Sequence, residues 1–354
     1  MKSLRSILAI DIGAGTQDIL LYDATRNPEN CTTLILPTPT RYFADEIEKC
    51  VQDLFIEGNA IGGGSIPALL KKHIEKGYRV YMTEEAAYTV RNSLQEVQQS
   101  GISLVKGREA ISNFKGVTLR FQEIDLRLLK DFLKRCGEEL APDLVAIAVQ
   151  DHGVPLEGMS NREWRFRIIE QRLKEDSRPE SFIYSPGEIP DCFKRMRSVA
   201  SAAKNQMNGE VVVMDTALAA ILGCREESPA PFFVNVGNNH TLVAVIKEGR
   251  IEGLMEHHTG MLGKEKLESL IVRFIQGAVT SKEILNDGGH GAIILKPPTS
   301  KAGEIIVTGP RREMLRGSRL NVRFAAPYGN MMLTGPFGLV RGAHLKYGIH
   351  RLKE

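Results

Sequence analysis

One short pattern occurs twice in the sequence, and this repeat limits the fold more than any other feature. Near the N-terminus, an apolar run leads into the turn Gly13-Ala14-Gly15-Thr16 and then into a second apolar run, residues 19–22. In the last third of the chain, Phe232–Val236, the turn Gly237-Asn238-Asn239-His240-Thr241 and residues 242–246 follow the same plan. Apolar runs joined by turns rich in glycine or asparagine are typical of β-hairpins. A chain that carries the same hairpin twice is expected to consist of two related halves.

The segments around the hairpins alternate between strands and helices. Leu144–Val149 and residues 211–214 are apolar runs of the buried-strand type, whereas Ile66–Glu75 has its apolar residues at helical spacing. This alternation predicts an α/β fold with mixed sheets. The turn-rich segment 226–231 is the expected boundary between two lobes, residues 1–225 and 228–354.

The composition is that of an ordinary globular protein, with 42% hydrophobic and 25% charged residues and a net charge of +3. A disordered chain would have less apolar content, and a dedicated nucleic-acid-binding protein would carry a stronger positive charge. No stretch approaches the roughly 18 consecutive apolar residues that a membrane span needs. We therefore expect neither nucleic acid nor a membrane as a partner.

The five cysteines are far apart in the sequence, Cys31 and Cys50 being the closest pair. The 354 residues contain no CxxC and no CxxxCxxC, so neither a cysteine-ligated zinc site nor an iron–sulfur cluster is expected. An odd number of cysteines without a secretion signal predicts a reducing, cytoplasmic location.

Five motifs, in the same order, resemble those of the superfamily that contains actin, sugar kinases and the seventy-kilodalton heat-shock chaperones. They are Asp11-Ile12-Gly13-Ala14-Gly15-Thr16, residues 215–223, residues 234–241, Thr308-Gly309-Pro310 and residues 333–339. The resemblance implies a two-lobed actin-like ATPase fold with a duplicated, ribonuclease H-like mixed β-sheet core and ATP in the interlobe cleft. The chain is also similar to a group of microbial proteins sometimes labelled pyruvate formate-lyase activating enzyme. The missing CxxxCxxC motif argues against that radical iron–sulfur chemistry.

In this superfamily the two glycine-rich turns face each other and bind the phosphates of ATP. The resemblance assigns this role to two groups of residues: Gly13, Ala14, Gly15 and Thr16 on one side, and Gly237, Asn238, Asn239, His240 and Thr241 on the other. Glycine suits the role because its backbone turns tightly and approaches an anion closely. By the same resemblance Asp11, with Asp18 as a second candidate, would hold Mg²⁺.

The second turn departs from the pattern of the superfamily. Asn235 stands where an aspartate is usual, and Asn238-Asn239 stand where two glycines are usual. Asparagine tolerates left-handed turn geometry, but its neutral amide cannot assist Mg²⁺ as a carboxylate does. Two functions therefore stay open. One is an ATP/Mg²⁺-dependent phosphotransferase or ATPase with an unknown small-molecule or protein substrate; the other is a non-catalytic nucleotide-sensing or accessory protein.

Two further regions carry candidate residues on the ATP hypothesis. Gly309 would let adenine lie against the backbone, and Arg312 would contact adenine or ribose. Asp151 and His152 follow the strand Leu144–Val149, where the superfamily places the residue that orients a water or an acceptor hydroxyl. The alternative for Asp151 is a loop turn held by side-chain-to-backbone hydrogen bonds.

Histidines in polar loops suggest a third possibility. His257 and His258 are adjacent on a strand, so they are expected to point to opposite faces. One of them could join His290 and Asp287 in a metal site and make the protein a metal-dependent hydrolase using His258 and His290. The alternatives are loop histidines fixed by hydrogen bonds, or histidines that contact an anionic substrate.

Overall fold

The computed structural model describes residues 4–225, 231–296 and 303–348. Within these ranges the strands are β1 (Ser6–Ile12), β2 (Thr16–Asp23), β3 (Thr32–Pro37), β4 (Leu54–Gly58), β5 (Val80–Met82), β6 (Ser103–Leu104), β7 (Val117–Phe121), β8 (Leu144–Val149), β9 (Glu210–Met214), β10 (Phe232–Val236), β11 (His240–Lys247), β12 (Arg250–His258), β13 (Gly291–Ile294), β14 (Ile305–Thr308) and β15 (Val322–Phe324). The helices are α1 (Pro39–Lys49), α2 (Ile66–Glu75), α3 (Glu84–Ala87), α4 (Leu94–Gln99), α5 (Leu126–Arg135), α6 (Asn161–Glu175), α7 (Lys194–Gln206), α8 (Thr216–Cys224), α9 (Lys264–Ile275), α10 (Ser281–Asn286) and α11 (Thr334–Lys346).

Two of the sheets have the same strand order. The first is β3-β2-β1-β8-β9, and the second is β12-β11-β10-β14-β15 with β13 added beside β12. In each, the first three strands are antiparallel neighbours, and the last two pair in parallel with the strand before them. This duplicated order is that of the actin-like ATPase fold, which the resemblance to that superfamily implied, so the fold prediction is confirmed.

The two hairpins close with the same backbone hydrogen bond. The Gly13 amide donates to the Thr16 carbonyl at 2.9 Å, and the Gly237 amide donates to the His240 carbonyl at 2.9 Å. A Cβ on Gly237 would lie 2.7 Å from the His240 carbonyl oxygen, so the second turn requires glycine there. The repeat is therefore present in the backbone and not only in the order of residue types.

The residues between β3 and β8 form a third sheet. Its strands β6, β5, β4 and β7 are all parallel, and it has its own core, which includes Leu54, Leu70 and Phe121. The sequence patterns indicated helix α2 but did not separate this sheet from the first lobe. Short apolar runs look alike whichever sheet they join.

Helices α8 and α11 cross closely beneath the two repeated sheets. A Cβ on Gly223 would lie 1.9 Å from the Thr334 carbonyl oxygen, and one on Gly338 would lie 1.7 Å from the Ala219 carbonyl oxygen. Helix α11 also contacts β1, β2 and β8 of the first sheet, although it follows the second sheet in the chain. Residues 226–230 of the expected boundary lie outside the described residues, so the division into 1–225 and 228–354 stays a prediction.

Among the helices of the described ranges, none combines the length and the apolar character needed to cross a membrane.

Candidate functional site

Two connected cavities lie between the repeated sheets, at the ends of β1, β8 and β10. The small cavity, about 110 Å³, is lined by Asp11, Thr16, Gly237 and Gly309 among others. The large cavity, about 850 Å³, extends toward the third sheet and α6. Both cavities share lining residues from the two hairpins: Gly13, Ala14, Asn238, Asn239 and His240.

Two carboxylates lie side by side at the small cavity. Asp11 on β1 and Asp18 on β2 are cross-strand partners, so their side chains share one face of the hairpin. Both are buried, and the Oδ1 atom of each lacks a hydrogen-bond partner in the described part of the chain. Burial raises the pKa of Asp11 to about 8 and that of Asp18 to about 7. Two desolvated carboxylates with unpaired oxygens fit a divalent cation such as Mg²⁺.

The hairpins touch each other across the small cavity. A Cβ on Gly15 would lie 2.9 Å from Nδ2 of Asn238. The 110 Å³ between them is below the roughly 300–1,000 Å³ of ordinary small-molecule sites. The residues therefore fit phosphates and a cation chemically, but a bound nucleotide needs the hairpins to separate.

Two predicted nucleotide contacts, Gly309 and Thr241, lie in different surroundings. Gly309 lines the small cavity at φ +97, and a Cβ there would lie 2.4 Å from the Val236 carbonyl oxygen, so glycine is required. Thr241 is buried on the opposite side of β11 from His240, where its hydroxyl lies 3.0 Å from that of Thr259. Its assignment to the phosphates is corrected, because neighbouring strand residues point to opposite faces.

Arg312 also differs from the expectation. Its guanidinium lies over the Phe324 ring, 5.9 Å from the centroid, with one nitrogen 3.4 Å from the Gly309 carbonyl oxygen. The neighbouring Arg311 lines the large cavity instead. A basic side chain is therefore present at the cleft, one position earlier than predicted.

Asp151 holds the loop after β8 through hydrogen bonds from its side chain to the backbone. Oδ1 accepts a hydrogen bond from the Gly153 amide at 2.8 Å, and Oδ2 accepts one from the Met196 amide at 3.0 Å. Burial raises its pKa, against the effect of these hydrogen bonds. Because both oxygens hold backbone in place, we correct its assignment from catalytic base to a supporting residue.

Four histidines meet at the floor of the large cavity, where β8 and β12 end and β11 and β13 begin: His152, His240, His258 and His290. Nε2 of His152 lies 3.2 Å from Nε2 of His290. Burial lowers the pKa of His240 to about 4 and that of His290 to about 3. It also lowers the pKa of His152 and of His258, so all four rings are neutral near pH 7.

Asp287 does not join these four histidines. Its carboxylate lies 3.1 Å from Nε2 of His257, and it forms an ion pair with Lys266. His257 and His258 point to opposite faces of β12, as expected, and Asp287 is on the His257 side. The ligand set of His258, His290 and Asp287 is thus corrected to a set made of histidines.

Comparison with known proteins places the chain in a family. Residues 61–314 match the family model described as "Putative pyruvate format-lyase activating enzyme (DUF1786)". The chain belongs to the DUF1786 family. The matched range contains the four histidines and the second hairpin, and it begins after the first hairpin. No curated protein matches the sequence.

Solved structures of several kinds are similar to this DUF1786 member at low identity. The ethanolamine utilization protein EutJ from Carboxydothermus hydrogenoformans has 12% identity and a TM-score of 0.37, covering 94% of this chain and 88% of its own. The ROK hexokinase from Thermus thermophilus has 10% identity and a TM-score of 0.35, covering 97% and 99%. MreB5 of Spiroplasma citri, bound to ADP, has 11% identity and a TM-score of 0.34, covering 98% and 99%. Because these scores are below 0.5, the fold assignment rests on the strand order.

A buried ionic network behind the histidines was not expected from the sequence. Arg165 on α6 binds Glu256 on β12 at 2.9 Å and Asp215, the first residue before α8, at 2.8 Å. Gln150 also donates to Glu256, at 3.2 Å. The sequence offered one signal, because Arg165 precedes Ile169 by four residues and Leu173 by eight and therefore lies on the apolar side of α6.

Proposed function

We propose that this protein binds ATP with Mg²⁺ between the two hairpins and transfers or hydrolyses its terminal phosphate. The observation that carries the proposal is that hairpin residues line both cavities, Gly13 and Asn238 among them. A phosphate chain held by the hairpins would have its adenosine end near Gly309 and its other end toward the large cavity. Such an arrangement puts the transferable phosphate beside a space for an acceptor.

Asp11 and Asp18 are the residues that would hold the magnesium ion. Their unpaired Oδ1 atoms supply hard oxygen ligands at the small cavity. When bound there, Mg²⁺ neutralises charge that develops on the phosphate oxygens. The backbone amides of the two turns would bind phosphate oxygens directly.

The large cavity suits an anionic acceptor. Arg91, Arg162, Lys194 and Arg311 line it, whereas the lining Arg195 is already paired with the buried Glu123 at 2.8 Å. Excess positive charge at a partly enclosed site favours anions.

His258 is the best-placed proton acceptor for such an acceptor hydroxyl. It lines the large cavity, it is neutral near pH 7, and a hydrogen bond with the Asn239 backbone orients its ring. As the acceptor oxygen bonds to phosphorus, its proton would pass to His258 and the nucleoside diphosphate would be the leaving group. His152, the base expected from the sequence, packs against His290 instead.

A nucleotide sensor without turnover is the second candidate. Asn235 supplies no carboxylate at the second hairpin, and Asp151 is committed to backbone hydrogen bonds. Both observations argue against phosphate transfer or hydrolysis more strongly than against nucleotide binding. The radical iron–sulfur activity named in the family description is not proposed, because the 354 residues contain no CxxxCxxC. The setting we propose is the cytoplasm.

Thermal unfolding with ATP, ADP or no nucleotide, each with and without Mg²⁺, tests the proposal. A ligand at about 100 times its Kd stabilises the folded state by about 2.7 kcal/mol. We expect a Mg²⁺-dependent shift that is reduced in Thr16→Ala and kept in Thr33→Ala, an exposed position on β3 of the same sheet. No shift at millimolar nucleotide would refute the proposal. A shift without phosphate release or transfer would favour the sensor.

A further inference from the structure

We infer that His152, His240 and His290 bind a divalent transition-metal ion at the floor of the large cavity, with His258 beside them. One ring nitrogen from each of the three lies within 4.8 Å of the others. The three residues come from distant parts of the chain. His152 follows the last residue of β8, His240 is the first residue of β11, and His290 directly precedes β13. This site differs from the Asp11–Asp18 site in ligand type and position, and it does not depend on nucleotide binding.

The separation of one pair of ring nitrogens matches what an ion of this class requires. Two nitrogens that are each about 2.0–2.1 Å from a tetrahedral ion lie about 3.3 Å apart. The two Nε2 atoms of His152 and His290 are separated by 3.2 Å. A hydrogen bond between two neutral rings gives a similar distance, so the experiment has to separate these two explanations.

The buried rings have unmet bonding capacity. Nδ1 of His240 and Nδ1 of His290 have no hydrogen-bond partner among the residues described, and His290 is fully buried. A buried polar atom left without a partner destabilises the folded chain. A neutral imidazole offers a metal ion a lone pair at one ring nitrogen.

A buried carboxylate lies close to one of these rings, although beyond hydrogen-bond distance of it. Oε1 of Glu256 lies 3.9 Å from Nδ1 of His240, and Arg165 and Gln150 hold that carboxylate in place. Carboxylates behind metal-binding histidines fix ring orientation and increase ligand basicity.

The donor set indicates the class of metal and its chemistry. Imidazole nitrogens favour ions such as Zn²⁺, Fe²⁺ and Ni²⁺ over Mg²⁺ and Ca²⁺. Three protein ligands leave a coordination position open, which is typical of catalytic rather than structural sites. Because His152 and His240 line the large cavity, that position faces the proposed anionic acceptor. A water bound there would be activated as a nucleophile, the chemistry of metal-dependent hydrolases.

The test is metal binding by the full chain without nucleotide, after removal of metal by a chelator. We expect one Zn²⁺ per chain by calorimetry and a visible Co²⁺ spectrum of tetrahedral intensity. His290→Gln and His152→Gln should each weaken Zn²⁺ binding about tenfold or more, since they remove a ligand and not merely an outer contact. His257→Gln is the matched control, because it changes a histidine of the same region that faces Asp287.

The outcomes separate a metal site from a pair of hydrogen-bonded histidines. Failure of the wild-type chain to bind Zn²⁺, Co²⁺, Ni²⁺ or Fe²⁺ would overturn the inference and leave the hydrogen bond as the explanation. Equal loss of binding in His257→Gln would overturn it as well. The wild-type Co²⁺ spectrum decides the question even if the histidine variants do not fold. Nucleotide binding without metal binding would refute this inference alone.

Discussion

Replacing Asp11 with asparagine is expected to stabilise the protein, and the gain should grow as the pH rises. Asp11 is 8% exposed, its Oδ1 atom has no partner in the described ranges, and burial raises its pKa to about 8. Between the ordinary pKa of 3.8 and about 8, the folded chain keeps a proton that the unfolded chain has released. The stability of the wild-type protein therefore falls as the pH rises through this window.

One proton difference corresponds to about 1.4 kcal/mol in unfolding free energy for each pH unit. From pH 5 to pH 8 the advantage of Asp11→Asn should thus increase by about 4 kcal/mol. At roughly 2 °C per kcal/mol, this corresponds to about 8 °C in Tm. The asparagine amide is neutral at every pH, so the cost of burying it does not change with pH. Asp18 also lowers the stability as the pH rises, but it does so in both proteins.

The assay is thermal unfolding of both proteins at pH 5, 6.5 and 8 without nucleotide. Asp131→Asn, at an exposed position on α5, controls for the loss of one carboxylate. A Tm difference that does not change with pH would refute the burial argument, as would a variant less stable than wild type at pH 8. The same variant should lose the Mg²⁺-dependent part of any ATP shift, so stability and ligand binding should change in opposite directions.

Other substitutions test the packing and the ionic network, each by its effect on Tm. Gly338→Ala should destabilise the protein by about 1–3 kcal/mol because it overpacks the crossing of α8 and α11; Gly187→Ala, with open space around it, should not. Arg165→Met should cost about 3–5 kcal/mol because it leaves buried carboxylates unpaired, whereas the exposed Arg167→Met should change little. Asp151→Asn should cost about 1–3 kcal/mol, because one backbone amide loses its acceptor.

The sequence by itself determined the local structure and its duplication. Gly13 and Gly237 specify tight turns through their own backbone freedom, and the apolar runs on either side specify strands, so both hairpins were predicted with their residues. The two repeated sheets share one strand order because each is built around the same hairpin unit. The sequence also predicted that His257 and His258 point to opposite faces, because alternation along a strand is a local property.

Only the tertiary structure decided which residues form a site. His240 and His258 are cross-strand partners in one hairpin, but His152 and His290 come from distant parts of the chain, and no spacing rule connects them to that hairpin. Because side chains alternate along a strand, His240 and Thr241 must point to opposite faces of β11. Which of the two faces the cleft depends on how the second sheet packs against α8. Arg165 is one of several charged residues on α6, and only the folded chain places Glu256 and Asp215 against it. Turn and strand preferences act over a few residues, whereas burial, ion pairing and metal geometry depend on distances that only the folded chain sets.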